Sequence, residues 1–138
     1  MLDREFSRMT RMRFAKGVFL VAGVYGLAVL LPQYFLEERM NRDYPPPITH
    51  PEFYYGFTGV AVAWQVLFLF LARDPARYRP MMIPSILEKA TYGVAVIVLY
   101  LQNRVSTLIL GTAIIDLIFG LLFVVAYAKT AANKDTPT

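Results

Sequence analysis

The sequence predicts an all-α protein, a four-transmembrane-helix antiparallel bundle with both termini cytoplasmic. Three observations lead there. First, 57% of the 138 residues are hydrophobic and only 17% are charged, against about 25% charged in a soluble domain. The mean hydropathy of +0.44 implies more apolar surface than a soluble chain of this length can hide, so the excess must face lipid. Second, the apolar residues fall into four runs, each close to the ~20 residues that cross ~30 Å of hydrocarbon as a helix. Third, the basic residues gather at alternate ends of those runs, as the positive-inside rule requires.

Ahead of the first run, Leu2, Phe6 and Met9 recur at helical spacing opposite Arg4, Arg8 and Arg11. That pattern predicts either an N-terminal amphipathic surface helix on the inner leaflet or a frayed basic tail that only sets topology. The first span covers about 14–31. It is too long for a signal-peptide core and runs into Leu31-Pro32-Gln33 without a small-residue cleavage site, so it reads as a retained span. The external connection, 32–52, is the longest. Pro45-Pro46-Pro47 predicts a stiff polyproline II segment. Tyr34, Phe35, Tyr44, Phe53, Tyr54 and Tyr55 place an aromatic belt at the outer interface.

The second span covers about 53–72. After it, Asp74-Pro75 suits a helix cap and first helical position, and 76–79 would make one turn before Pro80. The third span, about 83–101, and the fourth, about 105–128, are joined by a short turn. Residues 1–130 thus form one membrane domain and 131–138 a short polar tail. Ten basic residues (Arg4, Arg8, Arg11, Arg13, Lys16, Arg73, Arg77, Arg79, Lys129 and Lys134) fall on the side assigned to the cytoplasm, against Arg39, Arg42 and Arg104 on the other. The localisation expected is a bacterial cytoplasmic membrane, multi-pass.

The fourth span carries one acid, Asp116, near its middle. A carboxylate at the bilayer centre costs roughly 2.5–3.5 kcal/mol on insertion scales, so it should face protein or a water-filled cavity. Thr112, Ala113, Phe119, Gly120 and Phe123 share its face. Two readings stand side by side: a structural hydrogen bond between helices, and a carboxyl that carries a proton or binds a ligand. Gln65, at similar depth in the second span, is the expected partner. Glu88 shares a face with Tyr92 and is expected either to pair with Arg73 or Arg77 or to stand as a second acid along a route toward Asp116, while its neighbour Lys89 should snorkel to the inner surface. The polar cluster expected on these grounds is Asp116, Gln65, Glu88, Tyr92 and Thr112. Ala22-x-x-x-Gly26 and Gly59-x-x-x-Ala63, with Gly120, mark expected helix-packing positions.

Several chemistries are excluded. There is no cysteine, hence no thiol catalysis, iron–sulfur cluster or thiolate metal site. His50 is the lone histidine, so bis-histidine haem ligation is out. His50 with Glu52, Glu37, Glu38 and Asp43 lacks a recognised ligand spacing, and it reads as a solvated loop histidine rather than a metal site. No cofactor is called for, and the basic balance reads as topology rather than nucleic-acid binding. The first span has no midplane acid, unlike the small multidrug exporters.

The stretch PEFYYGFTGVAVAWQVLFLFLARDPARYRPMMIPSILEK, with a helix ending in ARDPARYRP and entering the next, resembles small bacterial four-helix membrane proteins of the broad DoxX-like group. The resemblance covers about 51–128. It implies a membrane bundle and, for some members, a subunit of a quinone-linked sulfur oxidoreductase. No catalytic residue is carried over, and without cysteine or a helix histidine a redox role has no support here.

The function expected first is a non-catalytic accessory or interaction subunit of a membrane complex, with membrane lipid and a protein partner or second copy as partners. The alternative is a binding protein or enzyme for a small apolar molecule (a quinone, isoprenoid or sterol-like lipid) held by the buried carboxyl of Asp116. Proton-coupled transport ranks last, because one midplane acid per four helices would need an oligomer to form a path.

Overall fold

The computed structural model describes residues 2–131; of the expected polar tail, Ala131 ends the last helix and 132–138 lie outside the described residues. Among the described residues there are five α-helices: α1 (Leu2–Leu30), α2 (Glu37–Asp43), α3 (Pro51–Arg73), α4 (Met82–Leu101) and α5 (Thr107–Ala131). Among the described residues there is no strand. Four of the helices are long and apolar enough to cross a membrane. In each, only 17–33% of the most apolar window is buried against protein, so most of that surface needs an apolar surrounding from outside the chain.

α1 is one continuous helix of 29 residues, about 44 Å long at 1.5 Å per residue. The expected separate surface helix does not form. Residues 2–13 are helical, but they extend the first span without a break. Nothing in MTRMRFAKG interrupts the backbone ladder, since the segment has no proline and its glycine, Gly17, comes only at the end. The helix stops where Pro32 lacks an N–H and clashes with the preceding turn, and Leu31–Phe35 tightens into a 3₁₀ turn.

The external connection is not the extended strut expected from its prolines. It contains α2, and residues 44–46 bend. Asn41 Oδ1 accepts the Ile48 N–H at 2.6 Å. Tyr54 donates to the Gln33 carbonyl at 2.8 Å and Tyr55 to Glu37 at 2.7 Å, with the Tyr34 and Tyr55 rings stacked at 6.1 Å. The predicted aromatic residues thus tie this connection to the start of α3. At the end of α2, the Arg42 hydrogen bond, with help from Arg39, holds the Asp43 carboxyl below its ordinary pKa.

α3 begins with Pro51 in its first turn, where a missing N–H costs nothing. Its buried residues, Thr58, Ala61, Gln65, Phe68 and Leu71, follow three-to-four spacing on one face. After it, Asp74 Oδ1 accepts the Arg77 N–H at 3.1 Å, the hydrogen-bonded turn that Asp74-Pro75 predicts. The α4–α5 turn closes on Asn103, whose φ of 56° is left-handed. Asn103 N–H donates to Tyr100 O and Arg104 N–H to Leu99 O, each at 2.9 Å, the paired bonds of a Schellman motif with Asn in glycine's usual place.

α1 packs along α3 and α5, α4 packs along α5, and α3 approaches α4 only sparsely. The core is aromatic. Phe19 of α1 stacks on Phe123 of α5 at 4.3 Å, and Phe68 of α3 meets Phe123 edge-on at 5.0 Å. All three are fully buried. Along α4 and α5, Arg79 meets Thr130, Lys89 meets Asp116, and Tyr92 meets Thr112, so one helix is read upward as the other is read downward. Arg79 locks one end: its guanidinium lies 3.8 Å from the Tyr127 ring centroid and donates to the Tyr127 carbonyl at 3.2 Å. A cation at a helix C-terminus is favoured both by the unpaired carbonyls and by the dipole.

Close approach is decided by particular glycines. A Cβ at Gly26 would overlap the Gln65 carboxamide, and one at Gly93 would overlap the Leu117 side chain. Ala22 is buried, at 2% exposure. Gly59 and Ala63 are placed differently from the expectation: a Cβ at Gly59 would meet only the Tyr34 hydroxyl, at 3.4 Å, and Ala63 is exposed. Within one chain the tight crossing of α3 therefore uses the Gln65 face, not the Gly59–Ala63 face.

Candidate functional site

Apart from Thr130 at the Arg79 end, the polar side chains of interest inside the bundle, Gln65, Glu88, Lys89, Tyr92, Thr112 and Asp116, lie on α3, α4 and α5. Lys89 is at their centre. Its side chain is 6% exposed, and Nζ donates to Asp116 Oδ1 at 3.0 Å. Nζ also lies 3.4 Å from Glu88 Oε2, an ionic contact without hydrogen-bond alignment, since that oxygen has no hydrogen-bond partner. The third side of the ammonium faces the Phe68 ring, 5.3 Å from its centroid, where the negative face of the π system attracts a cation.

Three expectations differ from the structure. Asp116 pairs with Lys89, not with Gln65. Gln65 Nε2 donates to the Ala61 carbonyl of its own helix at 3.0 Å, and its Oε1 is buried without a hydrogen-bond partner, against Gly26 of α1. Likewise Lys89 does not reach for the surface. A Cβ at Gly120 would come within 3.2 Å of the Lys89 Cβ, whereas Nζ is at Asp116, one turn nearer the start of α5. The lysine stem therefore runs along α5 away from the Arg79 end. Snorkelling moves a lysine toward water when nothing nearer compensates its charge; here a carboxylate does so inside the bundle. Glu88 follows Lys89 rather than meeting Arg73 or Arg77.

The geometry has a local cause in the sequence. Lys89 and Gly93 share one face of α4, and Asp116 and Gly120 share one face of α5, each pair four residues apart. Gly93 admits Leu117, and Gly120 admits the lysine stem. The two glycines let the backbones approach closely enough for a long side chain to lie flat between them. This reciprocal spacing is the signal that could have identified Lys89 from the sequence.

One turn farther along, Tyr92 Oη lies 3.1 Å from Thr112 Oγ1. Thr112 donates its single proton to the Ile109 carbonyl at 2.7 Å, so the tyrosine is the donor in the pair. Tyr92 and Thr112 thus pair with each other across α4 and α5, and among the described residues no hydrogen bond of either joins them to the lysine. The Tyr92 ring stacks at 6.3 Å on Phe57 of α3, where α3 and α4 are otherwise loosely apposed.

Chemically, the cluster holds one base between two acids, each carboxyl side chain 18% exposed. It compensates charge inside an apolar region and leaves one acceptor, Glu88 Oε2, open. His50 is elsewhere: Nδ1 lies 3.1 Å from Glu52 Oε1 on an exposed turn. Among the described residues, no group of three or more histidine, cysteine or acidic side chains is arranged to hold a metal ion. Comparison with protein families, curated proteins and solved structures gives no match to this chain.

Proposed function

We propose that this chain is a small multi-pass membrane protein, an antiparallel four-helix bundle with both ends in the cytoplasm of a bacterial cell, serving as a non-catalytic accessory or interaction subunit. One observation carries the reading: the midplane acid is satisfied within the chain by Lys89. An intramembrane carboxylate kept for chemistry would face a substrate path; one paired with an ammonium and an aromatic face holds two helices in register. The orientation is supported by Arg73, Arg77, Arg79 and Lys129 gathering at the end where Arg79 joins α5. The resemblance of residues 51–128 to DoxX-like proteins agrees with a place in a larger membrane assembly.

A second reading is favoured by Glu88 Oε2, buried and without a hydrogen-bond partner. It would accept a hydrogen bond from a small apolar molecule with a hydroxyl or amide group, with Asp116 and Tyr92 close by. Mild-detergent purification from native membranes separates the two. Stoichiometric recovery with another membrane chain supports the subunit. An isolated chain that retains a lipid-like molecule, lost on Glu88→Gln, overturns it in favour of the binding protein.

A further inference from the structure

The outward face of α1 alternates in character along its length. Phe6 and Met9, 71% and 53% exposed, are followed on the same face by Arg13 and Lys16, and these by Leu20 and Val24, 51% and 55% exposed. The face opposite carries the buried Ala15, Phe19 and Ala22. Between the two cations and the apolar stripe lies Gly17, where a Cβ would meet nothing within 4 Å. The level of this basic step is set by a contact across helices. Lys129 of α5 lies 4.3 Å from the ring centroid of Phe14, which brings Arg13 and Lys16 to the end of the bundle where Arg79 also sits.

We infer that Arg13 and Lys16 form a binding site for the headgroup phosphate of an anionic phospholipid, with its acyl chains lying along Leu20 and Val24. Charge complementarity selects the occupant. Two cations at the boundary of an apolar stripe match a phosphate joined to hydrocarbon, and a soluble anion would leave the stripe unused. The open space at Gly17, which has no side chain, lets the glycerol region lie against the helix. A zwitterionic headgroup brings its own cation into the same space and gains less. The inference rests on the membrane-spanning reading but not on the subunit reading, so loss of the latter leaves it standing.

The test is native mass spectrometry of the delipidated, purified chain with added phosphatidylglycerol or phosphatidylcholine. The wild type should retain phosphatidylglycerol preferentially. Arg13→Gln with Lys16→Gln should bind it about thirtyfold more weakly, the product of two basic contacts. The charge-conserving pair Arg13→Lys with Lys16→Arg should keep binding, as should Arg39→Gln with Arg42→Gln at the other end. Circular dichroism of each variant separates loss of binding from loss of fold. Equal retention of the two lipids, or undiminished binding by the double Gln variant with its fold intact, overturns the site.

Discussion

Lys89 is the residue on which the interior balance turns, because one base serves two acids. Lys89→Met leaves Glu88 and Asp116 without their cation, and breaking a buried pair from one side costs about 3–5 kcal/mol. Asp116→Asn should cost clearly less, since Glu88 Oε2 already stands 3.4 Å from the ammonium and can take over. Lys89→Met combined with Asp116→Leu and Glu88→Gln should recover much of the loss, as paired apolar replacements of buried ion pairs do, because neither acid is then left without its cation. Unfolding of the three variants in mixed micelles gives the order; a Lys89→Met protein as stable as wild type would remove the pair from any structural role. Asp116 was legible as a residue needing a partner, because a lone acid in an apolar run announces itself. Its partner was not legible. Hydropathy places Lys89 near a boundary, and only the register of α4 on α5 shows that its stem turns inward.

The four long helices were legible from their apolar runs, and the turn after α3 from Asp74-Pro75, whereas α2 has no apolar run to announce it. What periodicity could not supply was which small residues make the crossings, since Gly59-x-x-x-Ala63 fits the motif as well as Ala22-x-x-x-Gly26 does. The side chain that arrives opposite decides the matter. Gly26→Ala should destabilise by about 1–3 kcal/mol, because the new methyl needs the space of the Gln65 carboxamide. Gly17→Ala, with nothing within 4 Å of its Cβ, should be neutral or slightly stabilising by helix propensity. Thermal unfolding of the pair tests both, and equal effects would mean that the crossing is looser than described. At the α4–α5 turn, Asn103 holds a left-handed φ of 56°. Asn103→Gly should be tolerated, while Asn103→Val should cost about 1–2 kcal/mol. The N-terminal extension shows the opposite limit of sequence reading. Its amphipathic pattern was visible, but continuity with the span depends on the absence of a breaker, which pattern alone does not weigh.

For the molecule as a whole, the lack of cysteine in the sequence makes topology directly testable. Single cysteines at Ser7, Ala76 and Asn103 should divide by side, the first two shielded from an external membrane-impermeant maleimide and the third labelled. Labelling of Ser7→Cys from outside would overturn the N-in assignment. The Lys89–Asp116 contact has a further consequence, for how the chain enters the bilayer during synthesis. α4 presented alone to the insertion machinery carries an ammonium with only the poorly aligned Glu88 carboxylate beside it, and α5 alone an uncompensated carboxylate. Together they carry a pair already in contact. The two helices should therefore leave the machinery as a hairpin rather than in succession, and α4 should insert poorly when the chain is truncated before α5. Lys89→Leu combined with Glu88→Gln would release α4 to insert alone, uncoupling the steps of assembly that the folded bundle joins.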